Sequence, residues 1–147
     1  MRLHAVVALR ELGYHSTASI DLLVALLRDS HSSVRYNAAY ALGEVGYKSE
    51  HLLESLTISL EDSSVDSFAA EALGKLGLYS EKSVNLMFPL LLTDHFGVQE
   101  KVESALIKLG KLHQQQFLPQ LLYWIEQQYE NGGKINAVNI LWEIIGS

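Results

Sequence analysis

Six histidines, His4, His15, His31, His51, His95 and His113, and 17 Asp and Glu residues could hold a metal ion or move a proton in this 147-residue chain. A metal site on a helix needs ligands three or four residues apart, on one face. No two histidines stand at that distance, and most fall in loops or near helix starts, which reads as surface histidine. Nucleophilic catalysis needs a Ser or Thr beside a positioned base. The serines instead cluster in turns, where their hydroxyls cap helices. Gly74-Lys75-Leu76-Gly77 lacks the spacing of a phosphate-binding loop and falls at a helix end. The chain has no cysteine, which removes disulfides, thiolate zinc sites and thiol catalysis together. The expectation is a protein with no catalytic centre, no cofactor and no metal.

The remaining composition narrows the partners. A net charge of −6, with 11 Lys and Arg spread along the chain, argues against nucleic acid, which demands clustered cations. No apolar run approaches the roughly 20 residues that span a bilayer. The opening Met1-Arg2-Leu3-His4-Ala5 runs straight into a helical pattern, unlike a secretory signal. The lack of cysteine suits a reducing, cytoplasmic setting. A protein partner is what remains.

The elements that would carry such a surface repeat. Gly13, Gly46, Gly77 and Gly110 each close a similar segment: residues 3–13 (LHAVVALRELG), 36–46 (YNAAYALGEVG), 67–77 (SFAAEALGKLG) and 100–110 (EKVESALIKLG). The glycines lie 33, 31 and 33 residues apart, a period that marks stacked repeats. Within 34–46 the apolar Val34, Ala38, Ala41, Leu42 and Val45 fall on one face of a helix. Its alanines admit a close neighbour, and the closing glycine suits a left-handed helix cap. We call these the B helices. More apolar A helices precede them at 20–28, 51–61 and 84–93, with Ser49 and Ser80 as N-caps. Polar loops at 29–33, 62–64 and 94–97 join A to B. A degenerate last unit places an A helix over 117–129, with Pro119 near its start. A turn at Asn131-Gly132-Gly133 and a B helix over 135–145 follow, the latter bearing Val138, Leu141, Trp142 and Ile145. Pro89 lies inside an A helix and predicts a kink there, or a helix that restarts at the proline.

The expected fold is all-α: one domain over 1–147, an α-solenoid of stacked antiparallel helix pairs forming a superhelix. Its units are a half repeat over 1–13, repeats over 16–46, 49–77 and 80–110, and a degenerate terminal repeat over 113–146. Because the chain opens in a B helix, Leu3, Val6, Leu9 and Leu12 are expected to form a partly exposed apolar strip. That strip would mark an excised piece of a longer solenoid or a surface for self-association.

Residues 29–46 (DSHSSVRYNAAYALGEVG) and 68–77 (FAAEALGKLG) resemble the HEAT-repeat consensus, in the short HEAT-like form of phycobilisome lyases. The resemblance implies a ladder in which a loop Asp meets an Arg just after the Val of a neighbouring repeat. Asp29, Asp62 and Asp94 keep the acid, whereas only Arg35 and Arg2 keep the base; Asp66 and Gln99 replace it. Cohesion of the C-terminal half should therefore rest more on apolar packing. The family hosts scaffolds, adaptors and bilin lyase subunits, so a bilin lyase acting on phycobiliproteins is the alternative function. A HEAT-like DNA glycosylase would need a basic concave face, which the acidic balance disfavours.

In a HEAT-like solenoid the B helices line the concave side. Aligned on the closing glycine, they present the rows Val7, Tyr40, Glu71, Ser104; Glu11, Glu44, Lys75, Lys108; and His4, Asn37, Phe68, Lys101, flanked by Tyr36 and Glu100. Aromatic side chains are enriched at binding hot spots. The expected partner-binding residues are Tyr36, Asn37, Tyr40, Glu44, Phe68, Glu71, Lys75 and Lys108.

Overall fold

The computed structural model describes residues 2–12, 17–130 and 137–146. They form helices α1 (Arg2–Leu12), α2 (Thr17–Leu26), α3 (Ser32–Val45), α4 (Glu50–Ser59), α5 (Asp66–Leu76), α6 (Glu81–Met87), α7 (Phe96–Leu112), α8 (Gln114–Glu130) and α9 (Ala137–Ile145). A 3-10 segment, Phe88–Leu92, links α6 to α7. There is no strand among the described residues. Helices α1, α3, α5, α7 and α9 pack side by side as one layer, and α2, α4, α6 and α8 back them as a second. This is an all-α, HEAT-like solenoid.

One core runs between the layers. The B layer contributes small side chains, Ala38, Ala41, Ala69, Ala72 and Ala105, with Leu42, Leu73, Leu106 and Leu109. The A layer contributes Leu23, Leu52, Leu56, Met87, Phe88, Phe117 and Leu121. Phe88 stacks on Trp124 at 5.0 Å between centroids and meets Phe117 at 6.1 Å, joining the 3-10 segment to α8. A fully buried leucine is worth about 1.5–3 kcal/mol relative to an exposed one. An isolated helix pair would leave part of this core open to water, so the pairs must stack.

Helix ends follow local chemistry. Ser49 accepts from the Leu52 N–H at 3.1 Å, and Ser80 forms a capping box with Ser83. Gly46 and Gly77 take left-handed φ of 75° and 64°. After α5 the Leu78 N–H donates to the Leu73 carbonyl at 3.0 Å and the Gly77 N–H to that of Gly74 at 3.2 Å, a Schellman cap. Gly110 departs from this pattern: α7 runs through it to Leu112 and is capped by His113. Gly110 is instead buried, where an added Cβ would lie 3.0 Å from the Phe117 ring. Glycine serves close packing there rather than chain reversal.

Pro89 does mark a change. The α-helix gives way to 3-10 geometry at Phe88, placing the proline in the first turn of the new segment, where its missing N–H costs little. Pro119 lies deeper in α8 than expected, because that helix begins at Gln114. The carbonyl its ring deprives of a partner belongs to the exposed Gln115, within reach of water.

Two expectations need correction or fall outside the described residues. Val6 is fully buried, against the expected exposure, whereas Leu3 and Leu9 are half-buried and pack against the core with part of each side chain exposed. The outward side of α1 carries His4, Ala5, Ala8 and Glu11 instead. The Leu12 side chain, Gly13, His15, the turn at Asn131-Gly132-Gly133 and Ile135 lie outside the described residues.

The polar ladder exists where its bases do. Arg2 Nε lies 3.2 Å from Asp29 Oδ2, and Arg35 Nε lies 2.7 Å from Asp62 Oδ2. Arg35 also donates to the Asp29 and Ser30 carbonyls, so it ties its own A–B loop to the next. Gln99 keeps half of that role, donating to the Leu91 carbonyl at 3.2 Å and to that of Thr93. Asp66 keeps none of it: it is buried, and one oxygen accepts from the Ser67 N–H at 2.6 Å.

Candidate functional site

The face of the B layer is organised from α1 outward. Arg10 donates to Asn37 Oδ1 at 3.1 Å and to Glu11 at 2.7 Å, and its guanidinium carbon lies 5.3 Å from the Tyr40 ring centroid. Lys75 Nζ lies 5.3 Å from the same centroid. Tyr40 of α3 is thereby held by cations from both neighbouring B helices. Tyr36 stacks on Phe68 of α5, centroids 5.2 Å apart and planes 24° apart, and Lys101 of α7 lies 5.1 Å from the Phe68 centroid. Cation–ring contacts of this length are worth about 0.5–1 kcal/mol at exposed sites.

Ion pairs cross the same helices. Lys75 bridges Glu44 on α3 and Glu71 on its own helix, and Lys101 meets Glu71 at 2.6 Å. Burial acts to raise the Glu71 carboxyl, but the Lys101 hydrogen bond and the charges of Lys101 and Lys75 outweigh it and hold Glu71 below its ordinary 4.5. The hydrogen bond to Glu44 pushes the Lys75 ammonium above its ordinary 10.5, against its partial burial. At neutral pH Glu71 and Lys75 are both charged.

Five of the eight sequence-predicted residues, Tyr36, Asn37, Tyr40, Glu44 and Phe68, line one groove of about 500 Å³, together with Arg10 and Glu11. Glu71 and Lys75 flank it through their pairs with Lys101 and Glu44. Lys108 stands apart, in a neighbouring groove of about 340 Å³ with Glu71, Lys101 and Ser104. Asn37 differs from the expectation of an outward-facing side chain. It is only 6% exposed, with its amide donating to the Ser33 carbonyl at 2.8 Å and its oxygen accepting from Arg10. It holds Arg10 rather than a partner. Tyr36, Tyr40 and Phe68 are half-buried, with part of each ring open to the groove.

Arg10 is the residue that pattern reasoning missed. It occupies the position three before the closing glycine, where the later B helices carry Gly43, Gly74 and Ile107. A long cation where the next two copies have glycine was a visible signal. Those glycines also went unread. A Cβ on Gly43 would lie 3.1 Å from the Ala72 Cα, and one on Gly74 would lie 2.7 Å from the Ala105 Cα. They let the B helices approach closely enough for the cross-helix pairs to form.

Among the described residues, no helix is long and apolar enough to cross a membrane, and no three His, Asp or Glu side chains converge as a metal site. A family model of HEAT repeats matches residues 1–67. No curated protein matches the chain. Residues 1–67 are thus similar to HEAT repeats, and they include α1 to α4 and the start of α5 in a chain whose described residues form a HEAT-like solenoid.

Proposed function

We propose that this chain is a non-enzymatic recognition module that binds a partner protein on the exposed face of α1, α3 and α5. The observation that carries this reading is the groove holding Tyr36, Tyr40 and Phe68 in fixed positions before any partner arrives. Cations at 5.1–5.3 Å and the stack at 5.2 Å set the ring orientations. A surface built this way loses little side-chain entropy on binding, and partly exposed aromatic rings supply the contact area typical of hot spots.

The test uses a displayed library of random peptides selected on the intact protein. Selected peptides should bind Tyr40→Ala about tenfold to thirtyfold more weakly, the cost of losing one hot-spot side chain. Circular dichroism should show Tyr40→Ala still folded, because its ring lies at the surface. Tyr36→Ala should lose both binding and the stacking on Phe68, worth about 0.5–1.5 kcal/mol of stability. Peptides that bind both variants as tightly as the wild type would overturn the assignment of this face.

A further inference from the structure

The lateral side of α7 differs from that of the B helices before it. On α3 the positions three and seven before the closing glycine are Gly43 and Ala39; on α5 they are Gly74 and Ala70. All four are buried, and Gly43 and Gly74 lie against Ala72 and Ala105 of the following B helix. On α7 the same positions carry Ile107 and Glu103, both only half-buried. The following B helix, α9, meets α7 farther along, where Ile144 packs onto Gly110. Among the described residues, the side left open is a groove of about 490 Å³ whose walls include Phe96, Glu100, Glu103, Ile107, Lys108 and Lys111. Phe96 is 75% exposed, an unusual position for a phenylalanine.

The charges of this groove are unspent. Glu44, Glu71, Lys75 and Lys101 neutralise one another across the neighbouring face, whereas Glu100, Glu103, Lys108 and Lys111 have no ion pair among the described residues. Their order along the helix is antisymmetric. Glu100 and Lys111 lie equally far from the point midway between Ala105 and Leu106, and so do Glu103 and Lys108. With a rise of about 1.5 Å per residue, the outer two stand about 8 Å from that point and the inner two about 4 Å. A two-fold axis there, perpendicular to the helix, sets a second α7 antiparallel to the first. The acidic half of each stripe then meets the basic half of the other, with Ser104 level with Ile107. An isologous interface demands this self-complementarity. A parallel arrangement would set like charge against like, which is costly.

We propose that this side of α7 is a homodimerisation surface, occupied by the antiparallel α7 of a second copy of the chain. The proposal is independent of the partner groove on α1, α3 and α5. One helix face per copy falls below the roughly 800 Å² per partner of a standard interface. The dimer should therefore be weak, dominated by charge and sensitive to salt.

Sedimentation equilibrium of the full chain across a dilution series, at low and at high salt, tests this. Wild type should dimerise reversibly at low salt and dissociate as salt rises. Lys108→Glu with Lys111→Glu makes the stripe wholly acidic, and Glu100→Lys with Glu103→Lys makes it wholly basic. Each double variant should raise the dissociation constant about tenfold or more with its helical circular dichroism intact. Mixing the two variants should restore a heterodimer, which no loss of folding could produce. A wild type that stays monomeric at its highest soluble concentration overturns the proposal. So does a dimer that both variants leave unchanged, or a mixture that fails to pair. Dimer loss confined to Trp142→Glu would place the contact on α9 and overturn it equally.

Discussion

Gly74 sets how closely α5 and α7 approach, and its replacement by alanine has two opposed consequences of known size. Inside a helix, alanine is favoured over glycine by about 0.5–1 kcal/mol. Against that, the new Cβ would lie 2.7 Å from the Ala105 Cα and 2.9 Å from its Cβ. The Cα is backbone and cannot rotate aside, so the two helices must separate. Overpacking of this kind costs about 1–3 kcal/mol. The net expectation for Gly74→Ala is a loss of about 1–2 kcal/mol, or roughly 3–6 °C in Tm. Gly43→Ala has a Cβ at 3.1 Å and 3.2 Å from the Cα and Cβ of Ala72, so clash and propensity should nearly cancel, within about 0.5 kcal/mol of wild type. Gly97, in the first turn of α7, has open space around its added Cβ, so Gly97→Ala should keep the propensity gain of about 0.5 kcal/mol. Urea unfolding of the three variants should rank them Gly97→Ala, Gly43→Ala, Gly74→Ala in falling stability. A Gly74→Ala variant as stable as wild type would refute the reasoning, as would a Gly97→Ala variant as damaged as Gly74→Ala. The separation would also move Lys101 away from Glu71 and Phe68, so Gly74→Ala should weaken peptide binding in the groove without touching any residue that lines it.

Two further predictions concern charge. Burial raises the Asp66 carboxyl above its ordinary 3.8, and the nearby Asp62 charge adds to this. Asp66→Arg removes that cost and offers Asp94 the partner that Arg2 and Arg35 give Asp29 and Asp62, so it should stabilise by about 0.5–1 kcal/mol at neutral pH. Adding Asp94→Ala should cancel part of the gain, and a gain indifferent to Asp94 would sink the ladder account. The Glu71 carboxyl titrates below 4.5 when folded, so its stabilisation is complete above that value and lost as pH falls through the folded pKa. Urea midpoints measured from about pH 6 down to about pH 3 should fall less steeply for Glu71→Gln than for wild type, and parallel slopes would dissociate Glu71 from the acid sensitivity.

The architecture was legible because packing physics repeats. Glycine spacing, alanine-rich B helices and serine caps each have one cheap structural solution, and Ser49, Ser80, Gly46 and Gly77 adopt it. Gly110 shares the sequence position but not the role, because a helix ends only if no side chain rewards its continuation. Here Phe117 and Ile144 pack onto Gly110, and α7 carries on. The candidate face was legible as rows but not as contacts. Row alignment put Tyr36, Asn37 and Tyr40 together without revealing that Asn37 is spent on Arg10, or that Lys75 and Lys101 lie against the rings. Those facts depend on how close neighbouring B helices come, which Gly43 and Gly74 set through contacts distant in sequence.

The two halves of the solenoid divide along the same line. Helices α1 and α3 keep the ladder arginines that meet the loop aspartates, α3 and α5 keep small interface residues, and the face they share pairs its charges within the chain. From α5 onward Asp66 and Gln99 replace the ladder arginines, and Ile107 stands where Gly43 and Gly74 stood. The HEAT family match stops at residue 67, near this change. The order along this side of α7, two acids and then two bases about a single midpoint, is the self-complementarity that the proposed dimer requires. On this argument the departure from the repeat pattern belongs to function: the N-terminal repeats spend their charge on holding the groove rigid, and α7 keeps its own for a second chain.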